Sequence, residues 1–276
     1  MTSIPTVALN DGTSIPQLGF GVFKVNPAET ERIVTDALEA GYRHIDTAAV
    51  YGNEEGVGRA IAASGIARDE LYVTTKCWND DQGRTASRDA MATSLEKLGL
   101  EKVDLYLIHW PCPEKGLWQE TWTTFQELQA EGLTTSIGVS NFDHRYLPQL
   151  LAEGGPKPVV DQIELHPQFQ QRETAAIAAE HDILLEAWGP LGQGKVDYAS
   201  QVAEIAEAHD KSWAQVVLRW HLQHGHIVFP KSNRAARMRE NAEVFDFELT
   251  ADEVATIDAL DQGVAGRVSA DPAEVN

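Results

Sequence analysis

The sequence predicts an α/β protein, specifically a (β/α)8 TIM barrel whose lower mouth is capped by an N-terminal β-hairpin. Eight short apolar runs are each followed by a helical pattern, which is typical of such a barrel. The chain has 276 residues, and one barrel typically needs about 250. The third observation is a strong hairpin signal at its start. No stretch resembles a linker or a repeat, so we expect a single domain, residues 1–276.

The hairpin is the first predicted element. The segment TVALNDGTSIPQLG alternates apolar and polar residues around Asn10, Asp11 and Gly12. Asp-Gly is among the favoured pairs for a tight hairpin turn. Because this segment precedes the first barrel strand, we expect it to cover the barrel end opposite the catalytic rim.

The barrel strands follow in order, each a short run rich in apolar and β-branched residues. They are predicted at 19–24, 44–48, 71–76, 103–110, 136–141, 159–165, 184–190 and 226–232. Between them, stretches such as AETERIVTDALEA and ASRDAMATSLEKLG place apolar residues at helical spacing, with charges on the other side. The longest interval, 191–225, leaves room for an extra helix before the seventh barrel helix.

The composition restricts the class of partner. The formal net charge of −20 disfavours nucleic acid or an anionic membrane as a partner. Two cysteines, Cys77 and Cys112, are too few for a disulfide framework, which favours a reducing compartment. The N-terminus lacks the pattern of a signal peptide, and no apolar run approaches the roughly 18 residues that span a bilayer. We expect a cytoplasmic protein that acts on a small molecule.

Four polar residues lie at or just past the ends of separate apolar runs. Asp46 and Tyr51 occur in HIDTAAVYG, Lys76 ends LYVTTK, and His109 lies in VDLYLIHW. Because the C-terminal ends of parallel barrel strands share one rim, these side chains should converge there. A carboxylate, a phenol, an ammonium and an imidazole together suit proton delivery to a carbonyl oxygen while hydride arrives at the carbon.

The expected interplay of these groups follows from their charges. A tyrosine with a pKa near 10 is a poor acid at neutral pH. A lysine about 4 Å away contributes roughly 4 kcal/mol at an effective dielectric of 20, about three pKa units before desolvation opposes it. We therefore expect Lys76 to lower the pKa of Tyr51 towards the range of a general acid. Asp46 should anchor the ammonium, and His109 should orient the substrate oxygen or share its proton.

Each of the four residues also has an ordinary structural explanation. Asp46 or Lys76 alone could be solvated or salt-bridged, Tyr51 could be a turn residue, and His109 could be a satisfied core histidine. Four chemically matched side chains at the ends of successive strands favour the catalytic interpretation.

Two other nucleotide-binding architectures fit the sequence poorly. A Rossmann sheet requires G-x-G-x-x-G after its first strand, and GFGVFK does not supply it. The segment GPLGQGKV imitates a P-loop, but Val196 stands where a Ser or Thr would hold magnesium.

A metal site is also disfavoured. His224 and His226 form an H-x-H pair, as in metal-dependent barrel hydrolases, but the pair precedes the eighth strand rather than ending the first. His166 lies two residues after Glu164 and has no evident third or fourth ligand. We therefore expect no catalytic metal.

Several longer motifs resemble the signatures of the aldo-keto reductases. They are DTAAVYGNEEGVGRAI, TTK, LIHWP, SIGVSNF and FPKSNRAARMRENAEVFDFELT, in the family's order, and the resemblance runs from about residue 6 to about 270. Within the family, GPLGQGK and the short segment GRVSADPAEVN most resemble bacterial 2,5-diketo-D-gluconate reductases. The resemblance implies NADPH-dependent reduction of a small aldehyde, ketone or sugar diketone by a monomer. A metal-dependent barrel hydrolase and a non-catalytic NADPH-binding protein remain as alternatives.

The resemblance also assigns roles to individual residues. The proton-transfer tetrad falls on Asp46, Tyr51, Lys76 and His109. Contacts to the nicotinamide carboxamide fall on Ser140, Asn141 and Gln162, and the stacking aromatic is Trp188, at a position more often occupied by tyrosine. Contacts to the pyrophosphate fall on Leu191, Gln193 and Gly194. The substrate cleft contains Phe23, Trp78 and Trp110 beside His109, and Trp118 in the next loop is a further candidate.

The adenosine end of NADPH/NADP+ has its own predicted site. The resemblance places the 2′-phosphate at Lys231, Ser232 and Arg237, and the adenine near Glu240 and Asn241. Barrels frequently bind phosphate after strands seven and eight, where these residues lie. A lysine and an arginine beside a hydroxyl suit a phosphate monoester, because the guanidinium can donate two hydrogen bonds at once.

Overall fold

The computed structural model describes residues 4–276; residues 1–3, which belong to the predicted domain, lie outside this range. The strands of the described chain form a two-stranded and an eight-stranded sheet. They are β1 (Thr6–Ala8), β2 (Ser14–Pro16), β3 (Phe20–Gly21), β4 (His44–Asp46), β5 (Tyr72–Cys77), β6 (Val103–Ile108), β7 (Thr134–Ser140), β8 (Val160–Glu164), β9 (Leu184–Trp188) and β10 (Ile227–Val228).

The larger sheet is a ring. Strands β3 to β10 are parallel, and each pairs with its neighbour in the chain. A parallel bridge between Leu18 and Val228 joins the first strand to the last. There, Gly19 N donates to Val228 O at 2.9 Å, and Val228 N donates to Gln17 O at 3.1 Å. The predicted (β/α)8 barrel is confirmed.

The two strands at this seam are shorter than predicted. The run at 19–24 keeps only Phe20–Gly21 as a strand, and the run at 226–232 keeps only Ile227–Val228. Lys24 turns the chain out of the barrel with a left-handed φ of 59°. After β10, Pro230 has no N–H with which to continue the hydrogen-bonded ladder.

The helices lie on the outside of the ring. They are α1 (Pro27–Glu39), α2 (Glu54–Ala63), α3 (Arg84–Leu98), α4 (Trp118–Ala130), α5 (Leu147–Ala152), α6 (Arg172–Glu180), α7 (Tyr198–Gln201), α8 (Ala203–His209), α9 (Trp213–Gln223), α10 (Ala235–Ala242) and α11 (Ala251–Asp258). Helices α1 to α9 fall between successive strands, and α10 and α11 follow β10. Ser212 and Gln215 form a reciprocal capping box at the start of α9. Helices α7 and α8 fill the predicted interval before α9. None of the helices within residues 4–276 is long and apolar enough to cross a membrane.

The N-terminal hairpin covers the barrel end at which the strands begin, as predicted. Strands β1 and β2 pair antiparallel, and Ile15 is fully buried in a cluster that includes Leu105 from inside the ring. Asn10 Nδ2 donates to Pro158 O at 3.0 Å, just before β8. Asp11 accepts from Ser136 Oγ at 2.7 Å, near the start of β7. The hairpin therefore seals the ring's lower end, and the upper end remains for ligands.

Candidate active site

The four tetrad candidates come together at the upper rim. Asp46 is the last residue of β4, and Tyr51 ends the short 3₁₀ turn Ala49–Tyr51 that follows it. Lys76 lies near the end of β5, and His109 comes directly after β6. Strands β4, β5 and β6 are adjacent in the ring. The shared rim therefore brings together residues from three separate segments of the chain.

Lys76 and Asp46 form a buried ion pair. Lys76 Nζ donates to both carboxylate oxygens of Asp46 and to Thr47 O, each at 2.8 Å. Lys76 is fully buried, and Asp46 is 5% exposed. Every ammonium proton thus has an acceptor, as a buried charge requires. Burial alone would lower the pKa of Lys76, but Asp46 and Tyr51 raise it above its usual value, and the ammonium stays charged.

Tyr51 lies directly beside this pair. Lys76 Nζ is 5.2 Å from the centroid of the Tyr51 ring. Burial raises the pKa of Tyr51 above its usual value, and Asp46 raises it further, whereas Lys76 opposes both mainly through its charge. The predicted lowering of the Tyr51 pKa is therefore wrong, because burial outweighs the effect of the ammonium. The phenol keeps its proton at neutral pH.

His109 faces Tyr51 as a neutral imidazole. The two ring centroids are 5.8 Å apart in an edge-to-face arrangement. Burial, and then the charge of Lys76, hold the pKa of His109 well below its usual range. Within residues 4–276, His109 Nδ1 has no hydrogen-bond partner. A neutral imidazole carries one N–H, so His109 can donate a hydrogen bond but is not itself an acid at neutral pH.

The predicted nicotinamide residues form a connected group beside His109. Ser140 and Gln162 are paired across β7 and β8, and Ser140 Oγ donates to Gln162 O at 2.7 Å. Asn141 has a left-handed φ of 64°, which asparagine tolerates better than most residues. Its Nδ2 donates to His109 O at 2.9 Å, and its Oδ1 accepts from Trp188 Nε1 at 3.0 Å.

Gln162 also links this group to the tetrad. Its Nε2 donates to Asp46 Oδ2 at 2.9 Å and to Glu186 Oε2 at 3.0 Å. Glu186 was not among the predicted site residues. Burial, and then the charge of Asp46, raise the pKa of Glu186 to about 8, so it is mostly protonated at neutral pH. The sequence signal was present, since a carboxylate inside the apolar run LLEAW requires a partner.

The predicted adenosine residues line a separate cleft of about 490 Å³ at the rim. Six of the predicted cofactor residues contribute to it, namely Leu191, Lys231, Ser232, Arg237, Glu240 and Asn241. Five further residues in its lining were not predicted, namely Ser212, Trp213, Ala214, Asn233 and Arg234. Gln193 and Gly194 lie in the adjoining turn after β9 instead. The available signal for Arg234 was its position between Lys231 and Arg237 in the basic segment KSNRAAR.

This cleft is suited to a phosphate group. Lys231, Arg234 and Arg237 form no salt bridge within the described part of the chain, so their charges are available to a bound anion. Helix α10 begins at Ala235, and helix N-termini favour anions through their free N–H groups. The donor set therefore fits the phosphorylated end of a dinucleotide.

Aromatic side chains border the tetrad. Phe23 is 48% exposed, and its ring centroid is 5.1 Å from that of Tyr51. The rings of Trp78 and Trp110 lie 5.1 and 6.4 Å from the ring of His109. The three predicted substrate aromatics thus form an apolar border around the reacting groups.

Trp118 does not belong to this border. It is 3% exposed and packs edge-on against Phe142, with the ring centroids 5.7 Å apart. Its prediction as part of the cleft was wrong, because it begins helix α4 and faces the core between the barrel and its helices.

The histidine pair of the sequence lies away from the tetrad. His226 immediately precedes β10, at the lower end of that strand, and its Nδ1 is 3.2 Å from His221 Nδ1. His224 Nε2 is 3.0 Å from Asp258. Within residues 4–276, no group of three or more His, Cys, Asp or Glu side chains is arranged to hold a metal ion.

Comparison with known proteins extends these observations. The model of the aldo/keto reductase family matches residues 17–262. An aldo-keto reductase from Mycobacterium sp. (strain KMS) is 50% identical, with 99% of this chain and 98% of that protein aligned. The methylglyoxal reductase DkgA of Yersinia pestis is also 50% identical, over the same shares of the two chains.

Solved structures of aldo-keto reductases are also similar to this chain. An aldo/keto reductase from Brucella melitensis is 54% identical, with a TM-score of 0.91 over 95% of this chain and 99% of that one. A mutant of Gox0644 in complex with NADPH is 43% identical, with a TM-score of 0.94 over 99% of each chain. The region matched by the family model includes the tetrad, the predicted nicotinamide residues and the basic residues of the 490 Å³ cleft. The chain therefore belongs to the aldo-keto reductase family and is an NADP-dependent oxidoreductase.

Proposed function

We propose that this protein uses NADPH to reduce a small aldehyde, ketone or sugar diketone, such as 2,5-diketo-D-gluconate, to the alcohol. The observation that carries the proposal is the grouping of Tyr51, His109 and the buried Lys76–Asp46 pair at one rim. Bound NADPH supplies the hydride, and these four residues manage the proton and the charge on the substrate oxygen.

Tyr51 is the proton donor. Its pKa is raised, so the phenol holds its proton until a stronger base appears. A carbonyl oxygen becomes such a base as hydride adds to its carbon, because negative charge then develops on the oxygen. Lys76, 5.2 Å from the ring, stabilises the phenolate that remains. Asp46 keeps that ammonium charged and in position.

His109 orients the substrate. As a neutral imidazole it donates one hydrogen bond to the carbonyl oxygen and directs that oxygen towards the Tyr51 hydroxyl. Preorganised donors of this kind act most strongly where water is excluded, and His109 is only 8% exposed. Its low pKa means that it does not compete with Tyr51 as the acid.

NADPH would be held by two sets of residues, the hydrogen-bonded group that contains Ser140, Asn141 and Gln162, and the cleft lined by Lys231, Arg234 and Arg237. Ser140, Asn141 and Gln162 bind the carboxamide, with Trp188 against the ring. Leu191, Gln193 and Gly194 contact the pyrophosphate. Lys231, Ser232 and Arg237 bind the 2′-phosphate, assisted by Arg234, and Glu240 and Asn241 lie near the adenine. The three basic side chains of the cleft, which form no salt bridge within residues 4–276, support this assignment.

The substrate class follows from the border of the site. Phe23, Trp78 and Trp110 offer flat apolar surfaces beside Tyr51 and His109. This combination suits small carbonyl compounds rather than long polymers. The relative named methylglyoxal reductase supports the same class. We further propose that the protein acts as a monomer in the cytoplasm.

A substrate panel tests the proposal. Aldehydes, ketones and sugar diketones are each mixed with NADPH and the purified protein, and NADPH absorbance is followed over time. Turnover of several small carbonyl compounds, unchanged by a chelator, is the expected result. Inactivity on the whole panel despite tight NADPH binding would favour a non-catalytic binding protein, and loss of activity on chelation would favour a metal-dependent enzyme.

A further inference from the structure

Glu186 is a buried carboxyl group for which the proposed reaction has no role. It lies in the middle of β9, is fully buried, and is paired in register with Gln162 of β8. Gln162 in turn contacts Asp46 of the tetrad. Placing a carboxyl group inside a barrel is costly unless it has a hydrogen-bond partner. Glu186 Oε2 has one, the amide of Gln162, whereas Glu186 Oε1 has none within residues 4–276.

The amide of Gln162 has its two N–H bonds directed to two carboxyl groups. One goes to Asp46 Oδ2 at 2.9 Å, the other to Glu186 Oε2 at 3.0 Å. Turned by half a rotation, the amide would place its oxygen against the ionised carboxylate of Asp46, which has no hydrogen to donate, and that hydrogen bond would be lost. Its Oε1 therefore faces away from them, and within residues 4–276 it accepts no hydrogen bond.

We propose that Glu186 is a positioning residue, which accepts the second amide N–H of Gln162 and so holds Gln162 Oε1 towards the NH₂ of the nicotinamide carboxamide. The inference rests on the proposed function, in which Gln162 contacts that carboxamide. It goes beyond it by assigning the orientation of the contact to a residue that does not touch the cofactor. Asp46 alone leaves one N–H of Gln162 without an acceptor, and the amide is then less firmly held.

Ionisation of Glu186 should also make carbonyl reduction depend on pH. Asp46 faces it from β4, Lys76 and Tyr72 from β5, and Asp161 lies nearby on β8. Below about pH 8 Glu186 is mostly neutral and Asp46 is the negative partner of Lys76. Above that pH Glu186 carries a negative charge near Asp46. This charge offsets part of the positive charge of Lys76, so Lys76 stabilises the Tyr51 phenolate less.

Two substitutions separate the hydrogen bond from the charge. Glu186→Gln keeps an acceptor oxygen and cannot ionise, whereas Glu186→Met keeps a similar volume and removes the acceptor. Leu185→Ala is the control for general damage to β9, because Leu185 lies on the same strand and packs in the outer core instead. Thermal unfolding of each variant shows that it is folded under the conditions of the assay.

The first readout is binding rather than activity. NADP⁺ is compared with its 3-acetylpyridine analogue, in which a methyl group replaces the carboxamide NH₂. The wild-type protein and Glu186→Gln should prefer NADP⁺, and Glu186→Met should lose roughly 3- to 10-fold of that preference, the worth of one neutral hydrogen bond. Leu185→Ala should keep it.

The contrary outcomes are distinct. If the wild-type protein binds both cofactors equally, the proposed contact of Gln162 with the carboxamide is wrong, and the role of Glu186 is wrong with it. If the wild-type protein prefers NADP⁺ and Glu186→Met retains the whole preference, the contact stands and Glu186 does not position it.

The second readout is the pH profile of single-turnover carbonyl reduction. The wild-type rate should fall in a step near pH 8, and Glu186→Gln should lack that step while Leu185→Ala keeps it. A purely structural role would lower stability and leave the step in place. Persistence of the step in Glu186→Gln would overturn the proposed link between Glu186 and pH.

Discussion

Glu164 accepts a hydrogen bond from the backbone N–H of Val268 at 2.7 Å, although the two residues are far apart in the chain. The other carboxylate oxygen of Glu164 accepts from Ser269 N at 3.1 Å. Lys195, in the loop after β9, donates to Val268 O at 2.7 Å. Glu164, at the end of β8, and Lys195, in the loop after β9, thus both bind Val268 in the segment 263–276.

The same segment is attached further along the rim. Arg145 pairs with Asp271, and Glu114 N donates to the side chain of Asn276 at 2.8 Å. Residues 263–276 thus extend from β8 to the loop after β6, which lies next to the substrate aromatics. Among these attachments, Glu164 accepts two of the hydrogen bonds, so it is the residue to change.

We predict that Glu164→Gln loosens this segment. Replacing one carboxylate oxygen by NH₂ leaves one of the two N–H groups without an acceptor, and hydrogen bonds to charged groups contribute about 1.5–3 kcal/mol each. Hydrogen exchange at Val268 and Ser269 should accelerate by roughly 10- to 150-fold, and KM for carbonyl substrates should rise. Glu173→Gln, at an exposed side chain in α6, is the control. Unchanged exchange would show that other contacts hold the segment.

We predict that Tyr51→Phe removes the proton donor without disturbing the site. The ring is preserved, so its contacts with Phe23 and His109 persist. Carbonyl reduction should fall by roughly 10²- to 10⁴-fold, the range for a positioned acid. NADPH affinity, measured by quenching of tryptophan fluorescence, should stay near the wild-type value. Near-normal turnover, with chemistry shown to be rate-limiting, would remove Tyr51 from this role.

We predict that Arg237→Ala discriminates between the two cofactors. NADPH carries a phosphate dianion that NADH lacks, and each hydrogen bond to it contributes about 1.5–3 kcal/mol. NADPH binding should therefore weaken by roughly 10- to 150-fold while NADH binding stays unchanged. Arg239→Ala is the matched control, because Arg239 lies on the same helix but lines a different surface cleft. Equal weakening of both cofactors by Arg237→Ala would place the phosphate site elsewhere.

We predict that buried histidines make the protein sensitive to acid. Burial lowers the pKa of His226 and of His44 to about 3, against about 6.5 for an exposed histidine. As pH falls from 6.5 towards 3, the unfolded chain binds protons that the folded chain does not. The folded state is then less favoured by about 1.4 kcal/mol per pH unit for each such group.

Urea unfolding between pH 7 and pH 5 measures this slope. His226→Gln should reduce it, and His144→Gln, at an exposed side chain on the surface, serves as the control. The absolute stability of His226→Gln will also change, because its contact with His221 is lost. The slope is therefore the quantity to compare, and an unaltered slope would contradict the prediction.

The positions of the tetrad could be predicted because they depend on topology alone. Once β4, β5 and β6 are parallel neighbours, residues at their C-terminal ends must meet, whatever the side chains between them. Element type and order were therefore sufficient for the tetrad. Lys231 and Arg237 were instead assigned through the family resemblance, with which their position after the last strand agrees.

What could not be predicted depends on burial and on side-chain direction. The raised pKa of Tyr51 results from desolvation, which a spacing pattern does not reveal. The role of Glu186 follows from the Gln162 amide opposite it on β8. That pairing can be found only when the register of the two strands is known. Trp118 was misplaced because the start of α4 turns its ring inward. Each of these properties depends on which residues surround the side chain in the folded protein, and these surroundings include residues far apart in sequence.

The seam between Leu18 and Val228 has a consequence for how the chain is made. A ribosome synthesises Leu18 early and Val228 only after most of the chain has emerged. Until then β3 and β9 are open sheet edges, which can pair with other strands, although Lys76 and Asp46 can already meet. Ring closure is thus a late event in synthesis, and a chain stalled before Val228 should depend on chaperones far more than the finished protein does.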